Sequence, residues 1–141
     1  RQSGAAFSSV AMKFQLETSS LPVIGGHGPG WIALGPQRIT ESVMIDLAGQ
    51  ALPWGTPAFD GLGAEHFALL VPQEAAAPRP ELVLFGSGAR LRFPQPAWTR
   101  PLIEAGIGVE TMDTAAACRT WNILTGEGRR VLAALLVEPV A

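Results

Sequence analysis

The residues best suited to chemistry lie in one turn and in the segment that follows it. The turn Gly86-Ser87-Gly88 ends an apolar run, and glycine turns let backbone N–H groups approach an anion. Arg90 and Arg92 follow at alternate positions, so both side chains would point the same way in an extended segment and could hold a carboxylate or phosphate. The alternative is a turn that only needs positive φ, with one arginine paired to an acid: Glu104, Glu110 or Asp113.

A second group of candidate residues surrounds the start of a predicted helix. Asp113 and Thr114 fit a helix N-cap. Cys118 falls at the end of the first helical turn, where the helix dipole would lower its pKa; a small thiol packed on the sheet is the alternative. Asn122 points away from the packed face and has no packing role in the pattern. Together these groups predict a ligand pocket formed by Gly86, Ser87, Gly88, Arg90, Arg92, Asp113, Thr114, Cys118 and Asn122.

No motif completes a catalytic or metal site. A nucleophile elbow around the serine would need glycines where Phe85 and Ala89 stand, and a dinucleotide fingerprint would need a third glycine near Leu91. Nothing in the sequence places His27 or His66 beside the cysteine as a base. Without a histidine pair at metal spacing or a Cys-x-x-Cys, the sequence predicts no catalytic residues, no metal and no cofactor.

Two strands and a helix would position the pocket. Residues 81–85 and 108–112 read as buried strands, and a helix from Thr99 to Ala105 between them, closed by Gly106, has the length of a right-handed βαβ crossover. The strands are therefore predicted to be parallel neighbours whose carboxyl ends open on one edge, where α/β sheets bind ligands. A helix from residue 114 to about residue 125 would pack Trp121 on the sheet and end at a glycine, residue 126 or 128.

The remaining elements are predicted from periodicity and turn residues. The glycine-rich residues 25–30 indicate a turn, so that order would begin at Trp31. Residues 31–34 and 39–47 indicate an antiparallel hairpin whose second strand is the longer, with a short extension at residues 50–54. Elsewhere, residues 63–70 have helical spacing, residues 73–80 read as a surface linker, and residues 129–137 as a buried strand.

Composition indicates a soluble globular protein. The chain has 141 residues, of which 48% are hydrophobic and 16% charged, and its formal net charge is -2. Scattered arginines on a slightly acidic chain make nucleic acid the least favoured partner. Cys118 is the only cysteine, which excludes an intrachain disulfide and favours a reducing, cytoplasmic compartment. No apolar run reaches the length of a membrane span, so no membrane insertion is predicted.

The first residues are interpreted separately from the rest. Residues 1–11 are small, serine-rich and free of acids, which indicates a disordered arm or a vector remnant before Met12. A single globular domain is then predicted for residues 12–141. The alternative is a targeting remnant, which would place the protein in a mitochondrion.

Four segments carry a resemblance to a known family: residues 84–94, 106–114, 116–124 and 128–131. They closely resemble the proteins grouped as domain of unknown function 498, over about Met12 to Val137, although Trp121 stands where many members carry tyrosine. The resemblance implies an α/β (α+β) fold with three β+β/α layers. Its mixed central sheet would have about five strands with the last one antiparallel to the others, a small extra β-hairpin layer on one side and two main helices on the other.

The resemblance also implies no established enzyme activity. Relatives in that family include a mitochondrial assembly factor of respiratory complex I and an adipogenesis-associated cytosolic protein. Since fold alone does not transfer function, two hypotheses stay open. One is a non-enzymatic accessory module that binds an unidentified protein partner, for example during assembly of a membrane or respiratory complex. The other is a protein, or an enzyme, that binds a small ligand or anion in the pocket at the strand ends.

Overall fold

The computed structural model describes residues 21–56 and 58–140, which form eight strands and three α-helices. The strands are β1 (Ile24–Gly28), β2 (Trp31–Leu34), β3 (Gln37–Ile39), β4 (Val43–Ile45), β5 (Ala51–Pro53), β6 (Leu82–Gly86), β7 (Gly108–Met112) and β8 (Val131–Leu135). The helices are α1 (Ala64–Ala68), α2 (Pro96–Glu104) and α3 (Thr114–Gly126), with a 3-10 turn at Phe59–Gly61. The arm predicted for residues 1–11 and the start at Met12 lie outside the described residues.

The strands form two sheets. β1, β2 and β3 make an antiparallel sheet, and the main sheet has the order β5-β4-β8-β6-β7. β6 and β7 are parallel neighbours, with Leu82 opposite Gly108 and Gly86 opposite Met112. The predicted parallel pair and the predicted α+β class, a mixed sheet of five strands with a small extra sheet, are confirmed. The burial predicted for residues 108–112 is wrong, because β7 is the edge strand and none of its five residues is buried.

The predicted direction of the last strand is wrong. β8 runs parallel to β6, with Leu82 opposite Val131, and β4 is the strand that runs antiparallel to its neighbours. The reason is the connection, because β8 follows α3 in the same way that β7 follows α2. A helix returns the chain to the edge of the sheet where the previous strand began, so the next strand runs in the same direction.

The placement of both main helices on one face, away from the small sheet, is also wrong. α3 packs on β6 and β8 on the face that carries β1, whereas α1 and α2 pack together on the opposite face. The chain crosses from β6 to β7 and then returns past β6 to β8. Right-handed crossovers that run in opposite directions place their helices on opposite faces of a sheet.

The main sheet separates two apolar cores, because its side chains alternate between faces. Leu84 points into the core beneath α3 and the small sheet, where Trp121 is also buried. Phe85 points into the core beneath α1 and α2, and its ring centre lies 5.9 Å from that of Trp54 and 5.3 Å from that of Phe67. Edge-on packing of these rings adds to the stabilisation that burial provides.

The glycine turn predicted for residues 25–30 is wrong, because Ile24–Gly28 is a strand. It pairs antiparallel with β2, with an irregular register between Ile24 and Gly26. The Trp31 indole folds back over this strand, and a side chain at Gly28 would collide with it. Glycines here serve the close approach of an aromatic ring rather than a loose turn, and order begins before Trp31.

The predicted hairpin is confirmed only in its first half. β2 and β3 pair as expected, with Ile32 opposite Ile39, but the chain then leaves the small sheet, and Val43–Ile45 pairs in the main sheet. Ser42 is buried at this break, and its hydroxyl accepts a hydrogen bond from the Val137 N–H at 3.0 Å. The second strand is divided because its two halves belong to different sheets. The short extension is confirmed as β5.

The helices and the last strand agree with their local signals. Phe67 and Leu70 are buried as the helical spacing predicts. α2 begins earlier than predicted because Pro96 suits the first helical position. After α3, Gly128 takes the left-handed conformation, with φ 81°. The strand predicted within residues 129–137 is confirmed as β8.

Candidate functional site

The predicted edge of the main sheet brings the glycine turn and the start of α3 together. Gly88 donates its N–H to Thr114 Oγ1 at 2.9 Å, and Thr114 donates its own N–H to the Gly88 carbonyl at 2.9 Å. The Thr114 hydroxyl donates in turn to the Leu136 carbonyl at 2.7 Å, just beyond β8. These hydrogen bonds close the crevice between the strand ends. They also engage the Gly88 N–H and the Thr114 hydroxyl, two groups that would otherwise be available to bind an anion.

Ser87 fixes the segment that follows the turn. Its side chain is fully buried, donates to the Arg90 carbonyl at 2.7 Å and accepts from the Arg92 N–H at 2.9 Å. A nucleophilic serine requires a base within hydrogen-bond reach. The Ser87 hydroxyl instead makes both contacts with the main chain, so that it holds residues 90–92 in place.

The two arginines after the turn have different surroundings. Arg92 points inward, and its guanidinium donates to Glu138 Oε1 at 2.7 Å and to the Ser87 carbonyl at 2.6 Å, with its centre 4.8 Å from the centre of the Phe59 ring. Arg90 is exposed and has no ion pair within residues 21–56 and 58–140. The expected common orientation of the two side chains is wrong. One of them does form an ion pair, but with an acid that local pattern did not indicate.

The residues at the start of α3 support the helix. Asp113 Oδ1 accepts from the Ala116 N–H at 2.8 Å, which confirms the predicted N-cap. Cys118 is 1% exposed in the core beneath α3. Burial raises the pKa of its thiol to about 11, although the charge of Arg119 opposes this rise. The thiol is therefore protonated at neutral pH, and the geometry agrees with the packing alternative.

Asn122 lies away from the turn and holds the small sheet. Its Oδ1 accepts from the Ile24 N–H at 2.8 Å, and its Nδ2 donates to the Ile24 carbonyl at 2.8 Å. Thr114 and Asn122 are about two helical turns apart, or roughly 12 Å along the axis. The structure thus brings the turn and Thr114 together but leaves Asn122 and the buried Cys118 outside their reach.

A cleft lies beside the closed crevice. It has a volume of about 310 Å³ and is formed by the turn between β1 and β2, the start of α3 and the residues after β8. Gly88 and Thr114 of the predicted pocket line it, together with three residues that sequence reasoning missed: His27, Trp31 and Glu138. The sequence signal that could have revealed this cleft is the pair of ring-bearing residues, His27 and Trp31, on either side of a glycine-rich turn. Most of the lining is apolar, which suits an apolar group better than an anion.

The described residues offer few groups for chemistry. Residues 21–56 and 58–140 contain no cluster of three or more His, Cys, Asp or Glu side chains that could hold a metal ion. In these same ranges, neither Ser87 nor Cys118 hydrogen-bonds to a histidine. Nor does this part of the chain contain a helix of the length and apolar character that crossing a bilayer requires. The edge of the sheet is a packed structural junction with an apolar cleft beside it.

The fold and this junction define a class of small three-layer α+β proteins. A crystal structure of a protein from Bordetella parapertussis has the same fold, with a TM-score of 0.74 and 35% sequence identity, over 84% of this chain and 97% of that one. The chain belongs to the family described as "Protein of unknown function (DUF498/DUF598)", whose model matches residues 24–136. The predicted family membership is confirmed.

Two curated relatives extend the comparison. The chain is 37% identical over 93 residues to the bovine (Bos taurus) protein named NADH dehydrogenase [ubiquinone] 1 alpha subcomplex assembly factor 3, a match of 66% of this chain and 49% of that protein. It is 36% identical over 118 residues to an uncharacterized protein of Rhodobacter capsulatus, a match of 84% of this chain and 86% of that one. The chain thus spans about half the length of the named assembly factor and most of the bacterial relative.

Proposed function

We propose that this chain is a non-enzymatic accessory protein that binds another protein during assembly of a membrane-bound NADH dehydrogenase. The observation that carries the proposal is its 37% identity to the bovine protein named as an assembly factor of that enzyme. The match covers 93 residues of this chain and 49% of that relative, so the proposal concerns this chain and not the whole of the relative. An assembly role requires a surface for a partner rather than a catalytic set.

The geometry supports a binding role in two ways. The polar groups at the strand ends are engaged in hydrogen bonds within the protein, so the junction holds the fold together. The surface also presents large apolar side chains, the kind of group that protein interfaces bury. Within residues 21–56 and 58–140, those with exposed fractions of 43% or more are Val23, Leu52, Leu69, Leu91, Phe93, Ile103, Ile123 and Val140.

Deletion of the gene in the organism that encodes this chain tests the proposal. Membranes of the deletion strain should contain less fully assembled NADH dehydrogenase on native gels, with subassemblies accumulating, and a plasmid copy of the wild-type chain should restore the complex. Succinate dehydrogenase in the same membranes serves as the control and should be unchanged. A deletion strain with a normal amount of assembled NADH dehydrogenase would contradict the proposal.

A second candidate function is the binding of a small ligand, which the cleft of about 310 Å³ at the strand ends favours. Gly88 and Thr114 of the nine predicted site residues would contact such a ligand. A thermal-shift screen with phosphates, nucleotides, carboxylates and small aromatic acids tests this. We expect any shift to come from apolar or aromatic compounds, since most of the lining is apolar. A flat profile at millimolar ligand would leave only the accessory role.

We further propose that the protein acts in the cytoplasm of a bacterium. The Rhodobacter capsulatus and Bordetella parapertussis relatives support a bacterial setting. A single buried cysteine suits a reducing compartment. Fractionation of the source cells, with antibody detection of the chain, would place it in the soluble fraction or show that this assignment is wrong.

A further inference from the structure

The segment between the glycine turn and α2, residues 89–94, presents apolar side chains to solvent; it is called the outer segment below. It belongs to neither a helix nor a strand. Leu91 is 50% exposed and Phe93 is 68% exposed, while Arg92 between them points inward. Two large apolar side chains at alternate positions on one exposed segment form a surface that gains free energy when it is covered.

Hydrogen bonds and an ion pair fix the conformation of the outer segment. The Ser87 hydroxyl binds the main chain of Arg90 and of Arg92. The Arg92 side chain ties the same segment to Glu138 and, through its position over the ring, to Phe59. A segment that is already ordered loses little conformational entropy when a partner binds, so its apolar contacts translate more fully into affinity.

The main chain of the outer segment has hydrogen-bonding groups to offer. Ser87 takes the Arg90 carbonyl and the Arg92 N–H, which therefore point inward. The main-chain groups of Leu91 and Phe93 have no hydrogen-bond partner within residues 21–56 and 58–140. Unpaired main-chain groups on a fixed segment with alternating exposed side chains are the features that β-strand addition uses.

The charge around the outer segment favours an acidic partner. Residues 82–103 contain three arginines, Arg90, Arg92 and Arg100, and no acid. Glu138 neutralises Arg92 at 2.7 Å, but Arg90 is exposed without an ion pair among the described residues. A carboxylate beside Arg90 would form a rim charge pair, which contributes to orientation and to the association rate more than to affinity.

We propose that the outer segment is the docking site for an extended segment of a partner protein. The partner segment carries apolar side chains that cover Leu91 and Phe93, an acidic residue that faces Arg90, and main-chain groups that pair with those of Leu91 and Phe93. Ala89 lines the neighbouring cleft, which can accept one apolar side chain of the same segment. This inference rests on the proposed function, because it names the surface through which an accessory protein would hold its partner.

A phage-displayed library of random twelve-residue peptides is the probe. Wild-type protein should enrich peptides in which apolar and acidic residues alternate. Leu91→Ser and Phe93→Ser should each weaken binding of an enriched peptide by about tenfold, the effect of losing one well-buried apolar contact. The matched control is the double variant Ile103→Ser/Ile123→Ser. Its two side chains are 65% and 61% exposed, and they lie on α2 and α3, outside the outer segment. This control should bind like the wild type.

Hydrogen exchange separates strand addition from side-chain contact alone. A bound peptide should slow exchange of the Leu91 and Phe93 amides, whereas the Arg92 amide, already bonded to Ser87, should change little. The proposal is overturned if no peptide is enriched, if enriched peptides bind the Leu91→Ser/Phe93→Ser variant as tightly as the wild type, or if those two amides exchange unchanged. It is also overturned if sedimentation shows a dimer that this variant abolishes, since the occupant would then be a second copy.

Complementation of the deletion strain keeps the two proposals apart. If deletion lowers the amount of assembled NADH dehydrogenase and the Leu91→Ser/Phe93→Ser variant restores it fully, the outer segment is not the partner site while the accessory role stands. If deletion has no effect, the accessory role fails, and peptide selection alone decides whether the outer segment binds extended chains. Failure of the variant to restore assembly, with full restoration by the Ile103→Ser/Ile123→Ser control, supports both.

Discussion

Replacement of Asn122 by alanine should detach the small sheet from α3 at one edge. The Asn122 amide accepts from the Ile24 N–H at 2.8 Å and donates to the Ile24 carbonyl at 2.8 Å, and both groups are part-buried. Alanine removes both hydrogen bonds and leaves the main chain of Ile24 without that partner. The loss should therefore fall on β1 first, and on the Trp31 indole that packs over it.

The size of the effect follows from these two hydrogen bonds. Each contributes about 1 kcal/mol net to the free energy of unfolding. Alanine favours the helix by up to about 0.7 kcal/mol over asparagine, so the expected loss is about 1.5 kcal/mol. For a domain of this size, that corresponds to a fall in melting temperature of about 5 °C. The Ile24 amide, measured by NMR, should exchange about tenfold faster if β1 opens locally.

Urea unfolding followed by tryptophan fluorescence measures the global effect, and Ile123→Ala is the matched control. Ile123 is the next residue of the same helix but is 61% exposed, so its replacement should change stability by less than about 0.5 kcal/mol. The reasoning is refuted if Asn122→Ala unfolds at the same urea concentration as this control. It is also refuted if the Ile24 amide keeps its protection, because the side-chain pairing would then not hold β1.

Four further predictions concern buried groups. Burial raises the pKa of the Cys118 thiol to about 11, so iodoacetamide should react slowly at neutral pH, and the rate should keep rising until the pH approaches 11; a rate that levels off near neutrality would contradict this. Because this pKa is higher in the folded than in the unfolded protein, the free energy of unfolding should be unaffected below the ordinary thiol pKa and should fall as the pH rises through about 11. The Cys118→Ser variant should not show this fall. Gly88→Ala should cost about 2 to 3 kcal/mol, because φ is 100° and a methyl group would meet the buttressing ion pair. The control is Gly106→Ala, where φ is 77° and no atom lies within 4 Å of the added carbon, and it should cost about 1 kcal/mol. If urea unfolding shows the same loss of stability for Gly88→Ala and Gly106→Ala, the contact with the ion pair does not contribute. Trp54→Phe should cost about 1 to 2 kcal/mol more stability than Trp121→Phe. The Trp54 indole N–H donates to the His66 carbonyl at 3.0 Å, whereas the Trp121 indole N–H has no hydrogen-bond partner among the described residues. A lower melting temperature for Trp121→Phe than for Trp54→Phe would refute this.

The elements that local sequence determined are those whose causes lie within a few residues. The strand β6 is an apolar run, and the helix between β6 and β7 has the length that a parallel crossover needs. Asp113 caps α3 through the Ala116 N–H, a contact made within one helical turn. Gly128 ends the same region with a positive φ. Each of these signals acts without help from a distant part of the chain, so a reading of the sequence recovers it.

The tertiary structure decided what depends on distant partners. Ile24 and Asn122 lie 98 positions apart in the chain, and the strand at residues 24–28 exists because that contact and the Trp31 ring hold it. Arg92 forms an ion pair with Glu138, which lies 46 positions away in the chain. This pair gives a predicted ligand-binding side chain a structural role instead. The faces of α2 and α3 follow from the order in which strands join the sheet, and that order is not written in any local pattern. Contacts between remote residues form only when the whole chain packs, so composition and periodicity do not specify them.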